Sequence, residues 1–229
     1  MAESPRYALY YMPPTESPLW QFGARVIGYD AADPVARPEP FPELAAAAAA
    51  GQFREPRRYG FHATLKAPFE LAADRNEASL LDQVNAFASR QARFSIGLLR
   101  IALLDRFVAL VPQNAPAELN EFAANCVREI EAFRAPLTAD DRTRRLRSRL
   151  TDTEIAYLDR WGYPYVFELF QFHMTLSGPL PLDFMGPLHE KLTTLYEPIG
   201  TELSIDGIAI FKQTARSERF QVLRRFAFG

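Results

Sequence analysis

The chain has 229 residues, with 26 basic and 28 acidic side chains, three histidines and one cysteine. A formal net charge of −2 argues against a protein held to nucleic acid mainly by bulk electrostatics. The single Cys126 rules out an internal disulfide framework and a cysteine-built zinc site, and fits a reducing compartment. Arg6 to Met12 is aromatic-rich and closed by Pro13-Pro14, a strand signal. Ser17-Pro18 then opens a short helix, with Ser17 as cap and Pro18 in its first turn. Residues 30–40 are proline-rich and irregular, and the alanine run 45–50 reads as a short surface helix. Residues 54–60 read as extended.

From Arg58 to Phe69 the residues alternate. Phe61, Ala63, Leu65 and Ala67 share one parity; Arg58, His62, Thr64 and Lys66 share the other. Residues two apart lie on one face of a strand, so this segment presents an apolar face to the core and a polar, cationic face elsewhere. Residues 75–92 show helical spacing, and 94–104 and 106–112 form a strand pair turning near Asp105. Residues 116–162 are helical in pieces. Thr151 and Glu154 make a capping box, and Gly162 stops that helix. The stretch 140–150 packs five arginines into eight residues and reads as a solvated helix face balanced by Asp140, Asp141 and Asp152. Residues 163–180 are strand-like, 184–196 helical, and 203–212 and 219–228 form two further strands.

The chain repeats itself. FHATLKAPF (61–69) and FHMTLSGPL (172–180) agree at five of nine positions, and each is followed by a helix and two strands. Two copies suggest two related lobes in one domain, 1–229, with motif regions near 58–113 and 163–228. In the second copy Phe172, Met174 and Leu176 face the core, while His173, Thr175 and Ser177 face away. A pseudo-two-fold arrangement would then line one cleft with two imidazoles and two hydroxyls. The motifs use two of the three histidines; His189 has no such context.

Two His-x-Thr motifs half a chain apart resemble the 2H phosphoesterase superfamily, which includes RNA-ligase-like cyclic phosphodiesterases. The stretches RYALYYMPPTESPLWQFGARVIGYD, RRYGFHATLKAPF, RWGYPYV and FQFHMTLSGPL are similar to a bacterial branch named for phosphonate metabolism. The resemblance covers essentially the whole chain. It implies a bilobal α+β fold, with two antiparallel-rich sheets facing across a cleft and helices outside. It also implies His62 as acid and His173 as base.

The chemistry fits those residues. Opening a cyclic or activated phosphodiester needs one group to take a proton from water and another to protonate the departing alkoxide, and imidazole suits both. Neither motif has a second histidine or a carboxylate at ligand spacing, so neither a metal nor another cofactor is expected. The hydroxyls of Thr64 and Thr175 can bind the non-bridging oxygens. Lys66 and Arg58, and more weakly Ser177, are candidates to meet phosphate. Tyr10, Tyr11, Trp20, Tyr59 and Phe107 could stack on a base or sugar, though most such rings belong to a core. Lys212 and Gln213 could reach the ligand from the strand end.

The expectation is a small phosphorylated substrate, a nucleotide or sugar phosphate. RNA ends guided by the arginine run are the alternative substrate, and a non-catalytic phospholigand-binding module is the alternative class. MAESPRYALYYMPP lacks the basic and apolar regions of a signal peptide, and no apolar run reaches membrane-spanning length. A cytoplasmic protein without a membrane partner is therefore expected.

Overall fold

A computed structural model describes residues 4–200 and 202–229. The first three residues, part of the stretch read for a signal peptide, lie outside the described residues, as does Thr201. Strand β1 (Arg6–Tyr11) runs into α1 (Pro18–Ile27), where the Ser17 hydroxyl accepts from the Trp20 backbone N–H. Gly23 sits inside α1 because a Cβ there would lie 2.1 Å from the Phe61 ring. The missing side chain lets the helix rest directly on the residue before His62. The alanine run forms α2 (Ala45–Ala49).

Residues 54–60 depart from the extended reading: Arg54–Tyr59 is a helix, α3. Pro56 stands in its first turn, where a missing N–H costs no helical bond. Gly60, at φ 79, turns the chain out of α3 toward β2 (Ala63–Glu70). Then come α4 (Glu77–Ala88), β3 (Phe94–Leu104) and β4 (Phe107–Pro112), the last two forming a hairpin with Asp105 at φ 50. Three helices follow: α5 (Ala117–Ile130), α6 (Ala139–Arg145) and α7 (Asp152–Trp161), the last with the expected capping box and Gly162 stop.

The second motif forms much less strand than its composition suggested. Only Met174–Thr175, β5, pairs in the sheet. Of the aromatic residues before it, Phe167 packs on α7 instead, its ring edge-on to Trp161 at 5.0 Å and to Tyr157 at 5.5 Å. The chain continues through α8 (Leu182–Tyr196), β6 (Glu202–Ile205), β7 (Gly207–Gln213) and β8 (Gln221–Ala227). The stretch 203–212 is thus divided between two strands.

Among the described residues eight strands join one sheet in the order β6-β3-β4-β5-β2-β1-β7-β8, and every neighbouring pair is antiparallel. The α+β, antiparallel class is as expected, while the two sheets are halves of one, joined where β5 meets β2. The halves do not coincide with the two motif regions of the sequence. β3 and β4, which follow the first motif, lie beside β5, and β7, which follows the second, pairs with β1. Likewise α4 packs on β7 and β8, and α8 on β3 and β4. Apart from β6, which pairs with β3 at the edge of the β5 half, each repeat therefore completes the half of the sheet that carries the other repeat's motif. Among the described residues, no helix is long and apolar enough to cross a membrane.

Candidate active site

The two motif strands are neighbours at the centre of the sheet. Ala63 pairs with Met174 across an antiparallel ladder. That register puts Thr64 opposite His173 and His62 opposite Thr175. Ala63, Leu65, Met174 and Leu176 turn into the core, with at most 3% of their surface exposed. The imidazoles and threonine hydroxyls remain half-buried on the other face. A local dyad thus passes between Ala63 and Met174 and relates the two His-Thr pairs.

Both imidazoles are held by the backbone two residues earlier. His62 Nδ1 is 2.9 Å from the Gly60 carbonyl, and His173 Nδ1 is 2.8 Å from the Gln171 carbonyl. A carbonyl can only accept, so each Nδ1 carries the proton and each Nε2 is left as the basic nitrogen. His62 Nε2 accepts from the Thr64 hydroxyl at 3.1 Å. Tyr10, directly opposite Thr64 on β1, stacks on His62 with ring centres 3.7 Å apart. Phe107 stands 5.8 Å from the His173 ring.

Burial lowers the pKa of His62 to about 4; the Gly60 hydrogen bond opposes this, and the nearby His173 adds to it. Burial likewise lowers His173, against the Gln171 hydrogen bond. A charge on one ring is felt by the other, so the pair titrates in coupled steps.

His62, Thr64, Thr175 and Tyr10 line a cleft of about 510 Å³. An adjoining hollow of about 460 Å³ holds His173 and shares Thr64, Phe107 and Tyr163 with the first. Of the other expected residues, Arg58, Tyr59 and Phe107 also reach the cleft, Arg58 and Tyr59 from the end of α3 rather than from a strand, whereas Tyr11 and Trp20 are buried in the core and do not line it.

Lys66 does not reach it. Eight residues of β2 face six of β1, with register shifts on both sides of Leu9↔Lys66. These bulges reverse the alternation locally, so Lys66 turns to the α5 side. There it is buried, 2.7 Å from Glu131 and 3.2 Å from the Val127 carbonyl.

Ser177 borders the cleft, but its buried hydroxyl is already engaged. It accepts from the Val108 N–H at 2.9 Å and donates to the Gly178 carbonyl at 3.0 Å. Lys212 sits opposite Tyr7, and both side chains bond Glu77 of α4, away from the cleft. Gln213 is buried and accepts from Arg6 Nε at 2.8 Å.

Residues missed in the sequence complete the cleft wall: Arg6, Arg144, Arg145, Tyr163 and Arg216. The parity argument could have found Arg6, which shares a strand face with Tyr10. Arg144 and Arg145 belong to the run read as surface decoration. Nothing local announces that α6 folds back over the motif strands. Among the described residues, no three His, Cys, Asp or Glu side chains gather where they could hold a metal ion.

A family model described as "Protein of unknown function (DUF1045)" matches residues 64–221, a span containing both motif threonines and His173. The chain belongs to the DUF1045 family. It is 38% identical to the Ribose 1,5-bisphosphate phosphokinase PhnN of Janthinobacterium sp. (strain Marseille), over 76% of this chain and 39% of that protein. It is 34% identical to the protein of the same name from Laribacter hongkongensis (strain HLHK9), over 96% of this chain and 51% of that protein. The DUF1045 chain thus spans about half, or less, of the length of the curated relatives it matches. Among solved structures, E. coli LigT complexed with ATP aligns over 99% of each chain with a TM-score of 0.45 and 15% identity.

Proposed function

We propose that the protein is a metal-independent 2H phosphodiesterase that opens a cyclic or activated phosphodiester of a small sugar or nucleotide phosphate. The observation that carries this reading is the Ala63↔Met174 register, which sets each histidine against the other repeat's threonine on one sheet face. The phosphorus sits between the two Nε2 atoms. One neutral imidazole takes the proton of the attacking water as its oxygen bonds to phosphorus. The protonated imidazole on the other side gives its proton to the alkoxide as the ring P–O bond breaks. The Thr64 and Thr175 hydroxyls donate to the non-bridging oxygens, where negative charge grows.

The electrostatics favour a division of labour opposite to the one implied by the family resemblance. Burial, with a smaller contribution from His173, holds His62 at about 4 and so favours its neutral form within the pair. With His62 neutral, the singly protonated pair has His62 as the base and His173 as the acid. The relatives' name, Ribose 1,5-bisphosphate phosphokinase, supports a phosphorylated sugar as the substrate class, and the resemblance of the motif stretches to the phosphonate-metabolism branch supports a place in that metabolism.

The test is hydrolysis of 2′,3′-cyclic nucleotides and sugar cyclic phosphates by wild type, His62→Ala and His173→Ala. Wild type turns over at least one of them without added metal, and each variant loses at least about a hundredfold in kcat. Binding without turnover in the wild type, or an unchanged rate in both variants, refutes the reading.

A further inference from the structure

Five guanidinium groups line the cleft with His62, Thr64 and Thr175, against one carboxylate, Glu55. Two of the five are neutralised: Arg144 pairs with Asp141, and Arg216 lies 3.0 Å from both Glu70 and Asp141. The other three, Arg6, Arg58 and Arg145, have no carboxylate within ion-pair distance among the described residues. Arg6 is satisfied by the neutral Gln213 amide oxygen, and Arg58 donates to the Arg216 backbone carbonyl. Arg145 is the outlier. Its guanidinium sits over the Tyr163 ring at 5.4 Å, and its Nε is the one buried side-chain nitrogen or oxygen among the described residues without a hydrogen-bond partner.

A buried, charged N–H without an acceptor is costly, and native structures rarely keep one that serves nothing. Burial lowers the pKa of both Arg6 and Arg145, and neighbouring cations, Arg216 for the first and Arg144 for the second, lower it further. An anion in the cleft would relieve the desolvation and the repulsion together.

We propose that Arg6, Arg58 and Arg145 form a second anion site, which takes a phosphomonoester carried by the same small molecule whose cyclic phosphodiester meets the histidines. The phosphodiester part of this assignment rests on the reading given above; the anion site does not. A phosphomonoester is close to a dianion at neutral pH and matches several guanidinium forks, whereas the threonines and histidines suffice for the singly charged diester. The cleft of about 510 Å³ and the adjoining hollow that holds His173 together take both groups, a size suited to a phosphosugar. A net charge of −2 provides no wider field to hold a nucleic-acid strand.

The test compares adenosine 2′,3′-cyclic phosphate with and without a 5′-phosphate. In wild type the 5′-phosphate improves kcat/KM by about tenfold or more, the value of one good charge-assisted contact. In Arg145→Met that preference collapses toward one, while in Arg149→Met, an exposed member of the same run, it persists. Arg58→Met, at an exposed position, gives the same collapse and serves if Arg145→Met does not fold. Calorimetry with ribose 5-phosphate provides a readout free of turnover: Arg145→Met weakens its binding about tenfold, and Arg149→Met does not.

If wild type opens neither cyclic substrate, the phosphodiesterase reading fails and calorimetry alone decides the anion site. Equal use of both substrates, equal ribose 5-phosphate binding by wild type and Arg145→Met, or a preference for cyclic-ended RNA over the 5′-phosphorylated mononucleotide overturns the proposal.

Discussion

The protonation of His62 is the point at which packing meets chemistry. Its pKa falls from 6.5 to about 4, chiefly through burial. At about 1.36 kcal/mol per unit, the fold disfavours the imidazolium by about 3 kcal/mol. The folded value lies below the unfolded one, so the unfolded chain binds this proton more tightly. The stability associated with a neutral His62 is complete above about pH 6.5, shrinks as pH falls, and is gone below about pH 4. The perturbation is therefore acidification, read against His62→Gln, which cannot titrate. In urea unfolding, the stability difference between wild type and this variant shifts by about 3 kcal/mol between about pH 7.5 and pH 4.

Nitrogen-15 NMR of the ring follows the same event directly. His62 remains the Nδ1–H tautomer above about pH 5 and titrates near 4. In kcat/KM, which reports the free enzyme, the alkaline limb lies below 6.5, because His173 is also lowered. In kcat that limb moves up, because bound phosphate favours the imidazolium. A His62 midpoint at or above 6.5, or a proton on Nε2, would refute the reasoning.

Three further outcomes follow from individual contacts. Thr64→Val or Thr175→Val lowers kcat by about a hundredfold while leaving KM little changed, as steady-state kinetics would show, because the lost hydrogen bond strengthens only as charge develops. Lys66→Met loses about 2 kcal/mol in denaturant unfolding, softened because Glu131 keeps Arg134 at 2.6 Å, and retains its KM; a large rise in KM would return Lys66 to the site. Gly23→Ala forces a methyl group into the Phe61 ring, costs about 1–3 kcal/mol in thermal unfolding, and lowers turnover by displacing the start of β2; full activity with an unchanged melting temperature would contradict the packing.

The core of the candidate site was legible in the linear pattern because it depends on two local properties. Strand parity put His62 with Thr64 and His173 with Thr175 off the apolar face, and the self-match showed that the two pairs are equivalent. Most boundaries were legible for similar reasons: Ser17-Pro18, Thr151 with Glu154, and Gly162 act within one helical turn. The aromatic stretch 163–173 misled because its rings answer to several distant elements, Phe167 to α7, Tyr163 to Arg145 of α6 and Phe172 to Tyr11 of β1, and residues 54–59 because a first-turn proline starts a helix as readily as it breaks one.

What the amino-acid order determined by itself was the pair of repeats, the four candidate side chains His62, Thr64, His173 and Thr175, and their common face. What only the tertiary structure decided was which cations join them. Two bulges in β2, visible only against β1, turn Lys66 away to Glu131, and α4 draws Lys212 to Glu77. In their place the fold brings Arg6, Arg58 and Arg145 from three distant segments to one wall. Parity is a property of one strand and survives in the sequence. Charge pairing across a cleft depends on which elements become neighbours, and no local pattern of residues encodes that.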